Sequence, residues 1–480
     1  MKLRTQDICN CSNKSIGFAS VVGLGSAALI LIGCSMVTTT PGTTVTNAVT
    51  ASVPISITDA PSDEVIAASL TLNSVVLKDT KGATASLLTS PLTFEATHLD
   101  AVQEPLFTPA VPEDTYSSVT LTYSNAEVAY IDPSTKDVVI AAATLANTSQ
   151  TITFSSPVTV SSTSTALLID YLVADSIAVS GSTVTVTPDF KVAEIHIKSH
   201  PGNGTEGLQC GVKGTVSALA TNSFTLTNAE GKSLVVNVDA NTKYEDLSGF
   251  SALTVGMLVE VDTETQSDGS LLALRVEEEE KSEAARTLLV GPITKTSGSP
   301  VTTFTQVVRQ QIGANSSSGP LVQTDTITIT STTRFRLPGR FDDIDGGSLP
   351  FSAALSAGTL FPGQNVAVTA DSVTNNAATA VTIALAPQTI DGTIASVSSK
   401  NGKGNMVYTI TLDSTSWLAT LTGATTVTVY TNGNLQEINK SALAAGDAGR
   451  FNGFLFKVNG NLVLFADVEA DGAGRAIGPN

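Results

Sequence analysis

The sequence contains only three histidines, so few residues could perform acid, base or metal chemistry. Glu194 and His196 lie two residues apart, which places them on one face of a β-strand, with His200 in the Pro/Gly-rich loop that follows. Such a set could hold a metal only weakly. We favour a polar strand face that leads into a linker, and we expect His98 to be isolated from the other two histidines.

A second candidate is the acidic segment Asp342-Asp343-Ile344-Asp345-Gly346-Gly347. Carboxylates ahead of a flexible turn are typical ligands of Ca²⁺, which makes Asp342, Asp343 and Asp345 the candidate metal ligands. The full calcium-loop pattern is absent, because no bidentate Glu stands at the expected distance. A solvated acidic loop is therefore the favoured interpretation, and no other cofactor is expected.

The common signatures of hydrolases are missing from the sequence. It has no Gly-x-Ser-x-Gly elbow and no His-Glu-x-x-His helix. Aromatic residues form 5% of the chain, and we expect its single tryptophan, Trp417, to be buried in a barrel and unavailable for sugar stacking. The acidic run 277–280 is interpreted as a solvated connector between modules. We predict that the protein is not an enzyme.

The N-terminus has the features of an export signal. Lys2, Arg4 and Lys14 precede an uncharged run that ends in Leu31-Ile32-Gly33-Cys34. This ending resembles the lipobox of bacterial lipoproteins, formed here by Leu31, Ile32 and Gly33 before Cys34. The resemblance implies a signal peptide at 1–33, cleavage before Cys34, a diacylglycerol on its thiol, and a Thr/Val/Pro-rich tether at 34–51.

Two interpretations of this apolar run are open. An uncleaved transmembrane helix is the alternative, which the glycines in the run disfavour. Ser35 stands where an inner-membrane retention signal has Asp, so the expected location is the outer membrane, with the protein facing either side and held by its lipid.

Composition predicts an extracytoplasmic β-protein of several modules. The chain has 480 residues, 42% of them hydrophobic and only 14% charged, and it is rich in Thr, Ser and Val. β-branched residues favour strands. The net charge of −18 excludes nucleic acid as a partner, because phosphate backbones are bound by Lys and Arg. The expected partners are the membrane, through the lipid, and an envelope protein or a glycan.

Alternating strands fill residues 52–198, as in Ala68–Leu77 and Tyr116–Tyr123, and predict a β-sandwich. Thr58-Asp59-Ala60-Pro61 and the segment Asp170–Ser176 resemble an uncharacterised bacterial lipoprotein domain. That resemblance implies fold and location, and it supplies no catalytic residue.

The rest of the chain repeats a pattern at 209–277, 288–386 and 388–470. The first strand of each unit contains a glycine. Each unit also carries a Leu-x-x-Gly turn, whose glycines are Gly256, Gly363 and Gly446. These units resemble an uncharacterised family of small β-barrels. The predicted fold is all-β, an N-terminal β-sandwich followed by three small Greek-key or OB-like β-barrel repeats, the second with an insertion.

These observations predict a non-enzymatic, lipid-anchored envelope protein that acts as a multi-module spacer and interaction surface. The alternative is an adhesin-like lipoprotein that binds a glycan or another ligand with the help of calcium.

Overall fold

The computed structural model describes residues 49–60, 62–99, 103–161, 165–196, 208–266, 268–279, 286–313, 322–338, 341, 349–400, 405–438 and 443–471. Most of them lie in β-strands, which confirms the predicted all-β class. The lipobox with Cys34, His200, and the acidic-loop residues Asp342, Asp343 and Asp345 lie outside the described residues. Among the described helices, none has both the length and the apolar character needed to cross a bilayer.

The N-terminal module is a sandwich of two main sheets. Its strands are β1 (Thr50–Ser52), β2 (Ile55–Ala60), β3 (Val65–Asp79), β4 (Thr84–Ser86), β5 (Leu92–Glu95), β6 (Glu104–Phe107), β7 (Ala110–Pro112), β8 (Thr115–Ile131), β9 (Val138–Ala142), β10 (Thr144–Leu145), β11 (Ser149–Thr159), β12 (Thr165–Leu172), β13 (Ile177–Ser180), β14 (Thr183–Val186) and β15 (Phe190–His196). A 3-10 helix, Thr97–Leu99, follows β5, and a short α-helix, Val173–Ser176, follows β12.

One sheet has the order β11-β8-β3-β4, with β5 also on β3 and β9 on β8, and the other has the order β15-β12-β2-β6. Alternating apolar side chains from both sheets meet in one core. Its aromatic centre contains Tyr171, whose ring stacks on Phe190 at a centroid distance of 4.7 Å. The sandwich fixes the positions of β5 and β6, which matter for the site below.

Three barrels follow along the chain. The first contains β16 (Leu208–Leu219), β17 (Ser223–Asn228), β18 (Ser233–Asn237), β19 (Lys243–Glu245), β20 (Leu258–Thr265) and β21 (Leu271–Glu278), with a 3-10 helix at Phe250–Ala252. The second contains β22 (Thr287–Ser297), β23 (Thr303–Val308), β24 (Gln310–Gly313), β25 (Gln323–Thr328), β26 (Arg334–Arg336), β27 (Asn365–Thr374) and β28 (Ala377–Leu385). The third contains β29 (Gln388–Lys400), β30 (Asn405–Thr411), β31 (Thr426–Ile438), β32 (Ala448–Val458) and β33 (Asn461–Asp471), with an α-helix at Trp417–Thr422.

All three barrels close in the same strand order. In the third barrel, β29 pairs with β30, β30 with β31, β31 in parallel with β33, β33 with β32, and β32 with β29. The five main strands of the first and second barrels repeat these pairings. Closure leaves the main strands without free edges.

The repeated glycines of the sequence occupy equivalent positions in the barrels and make equivalent backbone contacts. A β-carbon on Gly392 would lie 2.3 Å from the carbonyl oxygen of Thr411, so only glycine allows the second strand to approach the first so closely. Gly446 has φ +98°, and its N–H donates to the Ile394 carbonyl at 2.8 Å. The corresponding bonds in the other barrels are Gly256 N–H to Val216 (2.8 Å) and Gly363 N–H to Ile293 (2.7 Å).

The modules share hydrophobic cores. Ile66 of the sandwich is in one cluster with Trp417 of the third barrel, and Phe454 of that barrel is in the core of the second. Leu258 of the first barrel packs with Leu288 of the second. Trp417 is buried as predicted, and it lies at the module boundary, where its backbone N–H donates to the Asp63 carbonyl at 2.7 Å.

Candidate functional site

Four titratable side chains converge between the sandwich and the first barrel. Glu95 ends β5, His98 lies in the 3-10 helix that follows, and Glu104 begins β6. Glu230 comes from the turn between β17 and β18. Their side chains are 0%, 7%, 4% and 2% exposed, respectively, so all four are withdrawn from solvent.

Glu95 holds the histidine ring in place. Its Oε1 accepts the N–H groups of Ala68 at 2.9 Å and Thr97 at 3.0 Å. Its Oε2 accepts the His98 N–H at 2.9 Å and lies 3.1 Å from His98 Nδ1. A carboxylate on Nδ1 favours a proton there, so the ring presents Nε2 to its other neighbours.

His98 Nε2 faces two carboxylates. It lies 3.3 Å from Glu104 Oε1 and 3.9 Å from Glu230 Oε1, and one ligand atom from each of the three residues lies within 4.8 Å of the others. Gln310 of the second barrel donates to Glu104 Oε1 at 3.4 Å. Among the described residues, His98 Nε2 and Glu230 Oε2 are buried atoms without a hydrogen bond.

Burial and mutual charge shift the pKa values of this cluster. Burial lowers the pKa of His98, but Glu104 and Glu95 outweigh it and raise that pKa well above its usual value. Burial raises the pKa of Glu230, and the charge of Glu104 raises it further. For Glu95, burial acts upward, yet the hydrogen bond and charge of His98, together with Arg309, leave its pKa below the usual value. Glu104 and Glu230 therefore compete for the positive charge of one imidazole.

The arrangement supplies one imidazole nitrogen and two carboxylate oxygens, a donor set for a divalent metal ion. The prediction that His98 is isolated holds only for the other histidines, because the structure places three glutamates around its ring. The one local signal was the short spacing of Glu95, His98 and Glu104; Glu230 is remote in sequence. His196 lies in β15, paired with Thr165 in the strand ladder.

A second buried cluster surrounds Arg275 on the outside of the first barrel. Its guanidinium donates to Asp262 at 2.7 Å, Glu260 at 2.8 Å and Glu245 at 3.0 Å, and it also contacts Glu277. Lys213 bonds both Glu260 and Glu279, and Arg336 of the second barrel reaches Glu279 at 2.7 Å.

These contacts correct the prediction for the acidic run. Glu277, Glu278 and Glu279 are buried and are not a solvated connector. The cations that accompany them are Arg275 on the same strand, Lys213 on the first strand of the barrel and Arg336 of the second barrel. Burial, followed by the charge of Glu260, raises the pKa of Glu277.

A polar groove also lies on the second barrel. It has a volume of about 790 Å³ and is lined by threonines together with Arg286, Arg334 and Asp371. Arg286 donates to Asp371 at 3.0 Å. None of the described lining residues is aromatic, so the groove has hydroxyl and charged groups but no ring for stacking.

Comparisons with known proteins identify one segment of the chain. Residues 213–277, which make up most of the first barrel, match a family described as a domain of unknown function, DUF5666. This segment contains Glu230 and Arg275, whereas His98 and Glu104 lie outside it. No curated protein matches the chain.

Matching solved structures include the crystal structure of a deletion mutant of the single-stranded DNA binding protein from Thermus aquaticus. It is 13% identical over 40% of this chain and 96% of that chain, with a TM-score of 0.15. A likeness at that score carries no argument about function. The first barrel is thus similar to an uncharacterised domain family, and the function of the chain must be argued from its own residues.

Proposed function

We propose that the protein is a lipid-anchored envelope protein without enzymatic activity, whose four modules form one interaction body. The lipobox-like ending at Cys34 supports a lipid anchor, and Ser35 supports the outer membrane as the location. The resemblance at 52–198 to an uncharacterised lipoprotein domain supports the same location.

The shared cores are the observation that carries the role as an interaction body. Ile66, Phe454 and Leu258 each pack across a module boundary. Arg309 of the second barrel also donates to the Ile66 carbonyl at 2.7 Å, and its guanidinium lies 5.8 Å from the Trp417 ring centroid. Buried contacts of this kind favour modules that hold fixed positions and present a continuous surface to an envelope partner.

The anchor is tested by labelling cells with an alkyne fatty acid and separating detergent and aqueous phases. We expect label on the intact protein and its recovery with the detergent phase. Cys34→Ala is expected to lose the label and the membrane association. Crosslinking in intact cells, compared with the same variant, then identifies the envelope partner. Mature protein that begins at another residue contradicts the proposal.

A second candidate function is polar ligand binding in the groove of the second barrel. Its hydroxyls, arginines and one carboxylate suit a hydroxylated ligand such as a glycan. Saturable binding on a glycan array, lost in Arg334→Ala and kept in Lys295→Ala, supports it. Lys295 is 75% exposed and is not among the groove residues, which makes it a suitable control.

A further inference from the structure

We propose that His98, Glu104 and Glu230 bind a divalent transition-metal ion, with Zn²⁺ as its representative, and that this ion fastens the first barrel to the sandwich. The proposed ligands are not those that the sequence predicts at Asp342, Asp343 and Asp345, and the proposal does not depend on the lipid anchor.

Three potential metal-ligand atoms face one another in a buried space. Nδ1 is engaged by Glu95, so once a metal displaces the proton on Nε2, the lone pair of that nitrogen faces the oxygens of Glu104 and Glu230. Buried carboxylates need a cation beside them, and a metal ion can fill that role in place of the proton on Nε2. Neither His98 Nε2 nor Glu230 Oε2 has a hydrogen bond, although both are buried.

The distances fit a metal. Bonds of ~2.0–2.2 Å in a tetrahedral site place neighbouring ligand atoms about 3.3–3.6 Å apart. The observed separations from His98 Nε2 are 3.3 Å and 3.9 Å, so small side-chain movements complete the geometry. A divalent ion also balances the two carboxylates.

Neighbouring side chains hydrogen-bond the proposed ligands in the way that orients ligands in metal sites. Glu95 bonds the ring nitrogen opposite the proposed metal, and Gln310 bonds Glu104 Oε1. Carboxylate–histidine–metal arrangements of this type fix the ring and its tautomer. The imidazole nitrogen favours a transition ion over Ca²⁺ or Mg²⁺, which prefer oxygen ligands.

The location gives the ion a structural role. His98 and Glu104 belong to the sandwich, whereas Glu230 lies in the hairpin turn of the first barrel and Gln310 in the second barrel. A metal held by all three ligands links two modules directly. The open position of a three-residue site is available to water or to a group from a partner.

The test is a zinc titration of the purified full-length chain after removal of metal with EDTA. We expect one Zn²⁺ per chain, a higher unfolding temperature, and no comparable effect of Ca²⁺ or Mg²⁺. His98→Ala is expected to weaken zinc binding at least 100-fold, and Glu230→Gln at least tenfold. Glu95→Gln is expected to weaken it about 10–100-fold through loss of ring orientation.

Two variants separate binding from folding. Glu230→Gln is nearly isosteric and tests the site even if His98→Ala fails to fold. His196→Ala removes another histidine of the sandwich and is expected to keep full zinc affinity. Unchanged zinc affinity in Glu230→Gln, loss of zinc in His196→Ala alone, or tighter binding of Ca²⁺ than of Zn²⁺ overturns the proposal. These outcomes do not depend on Cys34 or on an envelope partner.

Discussion

Two buried charge clusters among the described residues differ in how many cations they contain. Arg275 donates to carboxylates through Nε and both terminal nitrogens. Lys213 bridges the carboxylates of Glu260 and Glu279. The His98 cluster gathers three carboxylates around one imidazole and leaves polar atoms without hydrogen bonds. Each carboxylate named in the first cluster contacts a Lys or Arg, whereas His98 Nε2 and Glu230 Oε2 of the second have no hydrogen bond, so we expect the second cluster to take up a ligand.

The largest expected loss of stability comes from a substitution in the Arg275 cluster. Arg275→Met keeps most of the side-chain volume but leaves four carboxylates without their guanidinium. We expect the free energy of unfolding to fall by about 3–5 kcal/mol in a denaturant titration. Lys81→Met is the control, because Lys81 pairs with Asp114 at the surface and its side chain is 73% exposed. Equal stability of the two variants contradicts the conclusion that Arg275 stabilises the fold by pairing with these carboxylates.

Asp170 is a buried acid outside both clusters, and it tests how burial affects stability. Burial raises the pKa of Asp170 to about 7, against the opposing charges of Lys191 and Arg450. Because the folded pKa is raised, its contribution to stability is complete below about pH 4 and is lost as the pH rises through about 7. Asp170→Asn is therefore expected to exceed the wild type by about 2–4 kcal/mol at pH 8, with little difference at pH 4.

Unfolding of both proteins in denaturant across this pH range measures the difference. Asp137→Asn is the matched control, since the Asp137 side chain is 66% exposed. A constant difference between Asp170→Asn and the wild type from pH 4 to 8 contradicts the raised pKa.

A matched pair of Glu→Gln changes compares the two clusters directly in metal-free protein. Glu260→Gln removes a charge that contacts both Arg275 and Lys213, so we expect a loss of about 1–3 kcal/mol. Burial and Glu104 already favour the neutral form of Glu230 by raising its pKa, so we expect Glu230→Gln to change the free energy of unfolding by less than about 1 kcal/mol. Thermal unfolding after EDTA treatment measures both. The reverse order of the two effects refutes the distinction between the clusters.

Local patterns in the sequence predicted much of the fold. Alternation in segments such as Tyr116–Tyr123 revealed strands, and the glycine positions revealed the barrel repeats, because each depends on residues near one another in the chain. The structure gives each repeated glycine a physical reason. Gly392 allows a neighbouring strand to approach closely, and Gly446 has a positive φ.

The charge clusters could not be predicted in the same way. Glu230 meets His98 only after two modules pack together, and Arg336 reaches Glu279 from another barrel. The acidic run therefore looked solvated although its first three residues are buried. A sequence shows which charges exist, whereas their partners depend on long-range packing.

The most direct test of the central claim is an anomalous diffraction map at the zinc absorption edge, from crystals of the full chain grown with Zn²⁺. We expect one strong peak about 2.0–2.1 Å from His98 Nε2, within bonding distance of Glu104 and Glu230. A fully ordered cluster without a peak, or with the peak elsewhere in the chain, contradicts it.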